Sequence, residues 1–199
     1  MAYSLYRSWS PYDDDDDDDG FLFSGDDMVD VEELTAYMAN YGQVAAKIPK
    51  TLRPSITKII KVYNRYLEDS YNVKKAAYKR RLNGVFQEME LFHVTGQSNV
   101  PSILRNNFDK SLTVRSKFGN GVSFSPDVEY ANRFCNKRVG HKRAVIITKV
   151  LVGLSHQGCQ NLSQPKSGYD TTTGNNGKVY VKYNDNEFCP KYVVFYNDY

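Results

Sequence analysis

The run RAVIITKVLVG at Arg143–Gly153 restricts the possible folds more than any other stretch. It is almost continuously apolar and rich in β-branched residues, so it reads as a central strand buried on both faces. Four further stretches read as strands. Met89–His93 is a short buried strand that opens onto a polar turn. Val122–Ser125 follows the glycine-rich turn Phe118-Gly119-Asn120-Gly121. Lys178–Tyr183 alternates as KVYVKY, a strand with one polar face, and Lys191–Tyr196 (KYVVFY) is the last strand.

Helical signals are interspersed with these strands. Val31, Leu34, Tyr37, Met38 and Tyr41 recur at spacings near three and four, which predicts an amphipathic helix over 28–41 ended by Gly42. Ile56, Ile59, Ile60, Tyr63, Leu67 and Tyr71 predict a longer helix, with Pro54 at its start and a basic tail over 74–81. Asn83-Gly84 predicts a turn, and 100–106 a short helix. Ser125-Pro126-Asp127 predicts a helix start running to about Cys135, with Tyr130 and Phe134 one turn apart. The segment 163–176, rich in Ser, Thr, Gly, Gln and Asn, predicts a loop. There is no regular βαβ repeat, so the fold class is α+β. The organisation expected is an acidic, disordered tail over 1–27, a helix and connector over 28–54, and one domain over 55–199.

Charge is distributed unevenly. Residues 1–33 hold twelve acidic groups, including the unbroken run Asp13–Asp19, against Arg7 alone, a net −11. Residues 34–199 hold 25 basic and 11 acidic groups, a net +14. Such a body can attract nucleic acid, or it can be an ordinary solvated surface balanced by the tail. Cys135, Cys159 and Cys189 are widely spaced and odd in number, which argues for reduced thiols in an intracellular protein, nucleus or cytoplasm not distinguished. His156 and Cys159 have an HxxC spacing, but two ligands do not complete a tetrahedral site, so no metal is expected. No run of about 18 apolar residues is present, and no membrane partner is expected.

His93 sits where apolar character stops, at the expected end of the strand. A side chain there is held by a scaffold and opens onto a turn, a frequent placement for functional groups. The alternative is a histidine at the edge of the core that bonds backbone.

Five blocks in order carry a family resemblance. ITKIIKVYN resembles a leading helix of the form IxKIxRVQN, and MELFHVT resembles LLFHGT. FGNGVSFSPDVEYANRF resembles FGxGVYFAxxASYSxxY. KVLVGLSHQG with the later Tyr169-Asp170 resembles KVLxGxYxxG and YDS. KVYVKYNDNEFCPKYVVF resembles xIFVIFNDxQxYPxYLI. Residues 55–198 thus resemble the catalytic domain of the poly(ADP-ribose) polymerase family, in particular its mono-ADP-ribosylating branch.

The resemblance implies an ADP-ribosyltransferase fold of split antiparallel sheets with flanking helices. It implies NAD as substrate, and transfer of one ADP-ribose to a protein acceptor, which can be the chain itself, or to a nucleic acid. It assigns His93 to the adenosine ribose and the Val94 backbone to the nicotinamide amide, where the family has glycine. Thr95, Gly121 and Tyr130 fall within the cofactor-binding blocks. Phe134 stands where a tyrosine stacks on nicotinamide, and Ala131 where a serine bonds the amide. Ser123 stands at the triad tyrosine, and Val179 where polymerising members carry glutamate. The triad therefore reads His93, Ser123, Val179. That combination implies either a transferase limited to single units or an interaction module with a degenerate pocket.

Overall fold

The computed structural model describes residues 29–114, 116–136, 138 and 140–198, so the acidic tail lies outside the described residues. In chain order the elements are β1 (Val29–Glu33), α1 (Ala39–Ala46), β2 (Ile56–Asn64), α2 (Arg65–Arg81), β3 (Gln87–Gly96), α3 (Val100–Asn106), β4 (Val122–Phe124), α4 (Val128–Arg133), β5 (Lys142–Val152), β6 (Ser155–Gln157), β7 (Thr171–Gly174), β8 (Val179–Lys182) and β9 (Phe188–Asn197). They form two sheets, one of five strands in the order β1-β2-β9-β5-β3 and one of four in the order β4-β8-β7-β6. Every pairing is antiparallel except β6 with β7. The α+β class follows the expectation.

β5 lies between β9 and β3, and its two faces enter separate cores. Ala144, Ile146 and Val150 join Leu91, Phe124 and Phe188 on one side. Val145 and Ile147 join Ile59, Phe92 and Val194 on the other. A strand covered on both faces needs no polar side, which is why its sequence shows none.

Two helices expected from periodicity are strands. ITKIIKVYN, also expected as a leading helix from the family likeness, is β2, with Ile60 and Val62 in one core and Ile59 in the other. Its β-branched residues suit a strand buried on both sides, and that burial imitates helical spacing. The helix starts only at Arg65, capped by Asn64, whose Oδ1 accepts from the Leu67 N–H at 3.0 Å. The segment expected as a helix from residue 28 instead begins with β1, hydrogen-bonded to β2, and helix resumes at Ala39. Tyr37, an expected core position, is fully exposed, and Gly42 lies inside α1.

Smaller differences concern boundaries. β3 continues to Gly96, so His93 is within the strand, opposite Ile146, and not at its end. The cap of α4 is Asp127, not Ser125: its Oδ1 accepts from the Tyr130 N–H at 3.0 Å, and the helix stops at Arg133. The expected loop over 163–176 contains β7. The helix over 100–106 and the Asn83-Gly84 turn, both residues at positive φ, are as expected.

The supposed polar face of KVYVKY is the largest departure. Lys182 is fully buried between the small sheet and α2. Its ammonium donates to Thr171 Oγ1 at 2.8 Å, to the Tyr78 hydroxyl and the Asp170 carbonyl at 3.1 Å, and to Asp170 Oδ1 at 3.2 Å. Glu187 Oε2 lies 3.4 Å away, and the Tyr78 hydroxyl donates to Glu187 Oε1 at 2.6 Å. Burial pulls the Lys182 ammonium below its usual pKa, while Glu187 and Asp170 pull it back. Burial alone would raise the Asp170 carboxyl, but Lys182, Thr171, Arg81 and the Gly153 N–H outweigh it and hold it low.

Candidate functional site

The two sheets meet where β3 passes β4. The Phe92 N–H donates to the Ser125 carbonyl at 2.7 Å, and the Ser125 N–H returns a bond to Phe92 at 2.9 Å. One residue further on, His93 Nδ1 lies 2.9 Å from the Ser123 carbonyl oxygen. A carbonyl can only accept, so Nδ1 carries the proton. Burial pushes the imidazole below its ordinary pKa, with the bond to Ser123 opposing the shift, so the ring is neutral at pH 7. Nε2 is then a bare acceptor, and no described protein group bonds it. Phe108 and Phe124 hold the ring edge-on, at centroid distances of 5.0 and 6.0 Å.

Strand geometry sets the direction of the Val94 backbone. In an antiparallel strand the backbone groups of alternate residues point to opposite edges. Phe92 turns its N–H and C=O toward Ser125, away from β5, so Val94, two residues on, turns its own the same way. β3 is the edge strand of its sheet. Among the described residues, the Val94 N–H and C=O have no partner. Its side chain is tucked into the core with Val128 and Cys135, with Ala131 at the margin. The backbone groups therefore face the outer edge of β3 beside α4, while the valine methyls turn into the core.

The remaining assigned residues take several kinds of place. Thr95 is buried, and its hydroxyl accepts from the Asn99 amide at 2.9 Å, tying the strand end to the next turn. Ser123 pairs with Val181, so its side chain shares a sheet face with Val181 and Val179. Val179 is 7% exposed and packs with Val181 and Tyr183, with Phe118 and Tyr130 at the margin. Nothing at that position carries charge. Gly121 is explained by packing: a Cβ there would stand 2.2 Å from the Lys182 carbonyl oxygen, so the glycine lets β4 lie on β8. Ala131 is half-buried and offers no hydroxyl.

The rings of Tyr130 on α4 and of Phe134 at its C-cap lie 4.6 Å apart, tilted by 41°, and Phe134 is 48% exposed. Tyr130 is fixed from the far side. The Asn175 amide donates to its hydroxyl, and the Lys178 ammonium sits 5.8 Å over its ring. Lys178 also reaches Asp127, the α4 cap, at 3.7 Å. The turn between β7 and β8, with Asn175, Asn176 and Gly177 all at positive φ, thereby latches onto α4. Sequence reasoning missed this latch because its members are 45 residues apart. The positive-φ turn itself was legible in Asn175-Asn176-Gly177.

The structure thus brings His93, Val94, Ser123 and Val179 together across β3, β4 and β8, and places Tyr130 and Ala131 on the adjacent α4 and Phe134 at its C-cap. His156 and Cys159 are not gathered with a further ligand. Among the described residues no group of three or more His, Cys, Asp or Glu is placed to hold a metal ion. No described helix is long and apolar enough to cross a membrane.

Comparison with known proteins identifies the family. The family model of the poly(ADP-ribose) polymerase catalytic domain matches residues 30–176. The human protein mono-ADP-ribosyltransferase PARP14 is 27% identical over 179 residues, which cover 82% of this chain. The chain spans about a tenth of that relative's own length, 10%. With a match over most of its residues, on two mostly antiparallel sheets joined beside His93, the chain belongs to the poly(ADP-ribose) polymerase catalytic domain family.

Proposed function

We propose that this chain transfers a single ADP-ribose unit from NAD to a protein acceptor and releases nicotinamide. The observation that carries the reading is the pair of unspent groups on neighbouring residues of β3. The Val94 backbone offers one donor and one acceptor in line, which suits a carboxamide. His93 Nε2 offers an acceptor, which suits a ribose hydroxyl. Phe134 supplies an exposed aromatic face for the nicotinamide ring.

NAD supplies the bond between ribose C1′ and the nicotinamide nitrogen, and that bond breaks as the acceptor's nucleophile joins C1′. The chain's residues orient the two halves of NAD and need not exchange protons with it. Val179 supports the limit to one unit, since extending a chain needs a carboxylate to activate the terminal ribose hydroxyl. Loss of an aromatic partner at Ser123 costs about 0.5–1.5 kcal/mol. Loss of a hydroxyl at Ala131 costs about 1 kcal/mol. NAD binding is then weaker by roughly tenfold to a hundredfold than with both groups present.

The test is calorimetric titration with NAD, followed by incubation of the chain and a protein lysate with labelled NAD. The expected result is a measurable heat, one discrete labelled product per acceptor, and nicotinamide released in equal amount. A ladder of products refutes the role given to Val179. Neither heat nor label supports the interaction-module reading instead.

A further inference from the structure

A groove outside the NAD cleft gathers cations that the transferase reading does not use. One wall is the end of α2, with Lys74, Arg80 and Arg81; the other is the segment 163–169, with Lys166; Lys110 closes one end. Two adjoining cavities of about 430 and 400 Å³ form it, and they share Tyr169 and Asn184. Each lies within the range of small-ligand pockets, about 300–1,000 Å³.

The carboxylates in this groove are already engaged. Asp170 accepts from Arg81 at 2.6 Å, from Thr171 at 2.7 Å, from the Gly153 N–H at 3.0 Å and from Lys182 at 3.2 Å. Glu187 accepts from Tyr78 at 2.6 Å and from Asn184 at 3.3 Å, above the Lys182 ammonium, with the half-buried Lys74 ammonium 4.0 Å away on the groove side. Arg80 and Lys166 are exposed and have no carboxylate partner among the described residues. Lys110 donates to the neutral Tyr183 carbonyl at 2.9 Å, with the exposed Asp109 carboxylate beside it in the sequence as its charge neighbour. Counting the Lys182 beneath, six cations face the two carboxylates that line the groove.

Tyr169 decides what kind of anion suits the groove. Its ring is 42% exposed at the junction of the two cavities, braced edge-on by His156 at 5.0 Å. A bare phosphate gains nothing from an aromatic face, whereas a nucleobase stacks on one. Duplex bases are already stacked, so an exposed ring between two cationic walls suits a single strand. We propose that the groove binds single-stranded nucleic acid, with phosphates along Lys74, Arg80, Lys110 and Lys166 and one base stacked on Tyr169. Lys182, beneath the first cavity, points to the face of β8 opposite Val179 and Val181, and none of His93, Val94, Ser123, Val179 or Phe134 lines either cavity, although Tyr183 from the Val179 cluster borders the second. The proposal therefore stands independently of the transferase reading.

The test is fluorescence anisotropy of a labelled twelve-nucleotide oligoadenylate with the full chain. Four phosphate contacts give a log–log salt slope of about −3, so affinity falls roughly fiftyfold between about 50 and 200 mM salt. Arg80→Glu with Lys166→Glu weakens binding at least about tenfold and flattens the slope by about 1.4. Tyr169→Ala weakens it by roughly fivefold or more, and Tyr169→Phe restores it. His93→Gln leaves it unchanged. The proposal is overturned if NAD competes with the oligonucleotide, if both groove variants bind as the parent does, or if inorganic polyphosphate binds equally well. Absence of binding at 50 mM salt, both by the full chain and by one lacking residues 1–20, also overturns it.

Discussion

Replacing His93 with glutamine and, separately, with asparagine tests the site most directly, because the two amides divide the imidazole's two bonds. Asparagine places its amide near Nδ1 and keeps the bond to the Ser123 carbonyl, now 2.9 Å long. Glutamine reaches toward Nε2 and gives that bond up. Both lose the edge contacts with Phe108 and Phe124. Losing the bond costs about 1 kcal/mol, and the two ring contacts together about 1 kcal/mol. His93→Gln is therefore destabilised by about 2 kcal/mol, a fall of roughly 4–8 °C in melting temperature for a chain of this size. His93→Asn falls by about half that.

Function ranks the variants differently. Asparagine leaves no acceptor in place of Nε2, and NAD binding weakens about fivefold; glutamine sets a displaced amide oxygen there, and binding weakens less. Transfer falls on the order of a hundredfold, because a displacement of about 1 Å at the reacting atoms costs that much. The assay is single-turnover transfer from labelled NAD, normalised to folded protein by circular dichroism. Undiminished transfer per folded molecule in His93→Asn would falsify the assignment of Nε2 to the ribose. pH supplies a second readout. The folded imidazole titrates below its ordinary 6.5, so as pH drops through 6.5 the unfolded chain gains a proton that the folded chain refuses, and stability declines. Transfer stays level until the lower, folded value is reached, where Nε2 becomes a donor. This acid limb disappears in both variants.

Lys182→Met removes the buried cation shared by Asp170 and Glu187, leaving them only Arg81 and Lys74 at the groove side, and costs about 3 kcal/mol at pH 7 by urea unfolding. The Asp170 carboxyl is held below its usual 3.8, so the deficit is full above that value and shrinks as pH falls through the folded one. Gly121→Ala drives a Cβ into the Lys182 carbonyl oxygen of β8 and costs about 1–3 kcal/mol, with loss of NAD binding in the same calorimetric titration. Deleting residues 1–20, which removes the Asp13–Asp19 run, raises oligonucleotide affinity in the anisotropy assay; equal affinity at low salt would reduce the charge asymmetry to solvation.

How much was legible in the sequence depended on whether the signal was local. β5 and β9 announce themselves because strands buried on both faces are runs of β-branched residues. β2 deceived because burial on two faces put apolar residues at 56, 59 and 60, a spacing that one face of a helix also produces. Lys182 deceived because a lysine in an alternating strand reads as solvent-facing, and the element that covers it, α2 with Tyr78, is 104 residues away. His93 stood out by its place where apolar character stops, whereas Val94, Ser123 and Val179 came from family resemblance, not from periodicity. What the structure adds is the proton on Nδ1 and the direction of the Val94 backbone, both of which depend on strand register. The Asn175–Tyr130 latch needed tertiary contact to be seen at all.

The buried cluster around Lys182 has a consequence for how this lineage can change. It anchors the small sheet to α2 from the face opposite the cleft, so the frame does not depend on which side chains line the NAD side. Ser123 and Ala131 are only half-buried, and drift there carries little penalty in foldedness. Chemistry can therefore decay, or be regained, on a scaffold that persists. Ser123→Tyr and Ala131→Ser, made together, would alter stability by less than about 1 kcal/mol while tightening NAD binding by roughly tenfold or more.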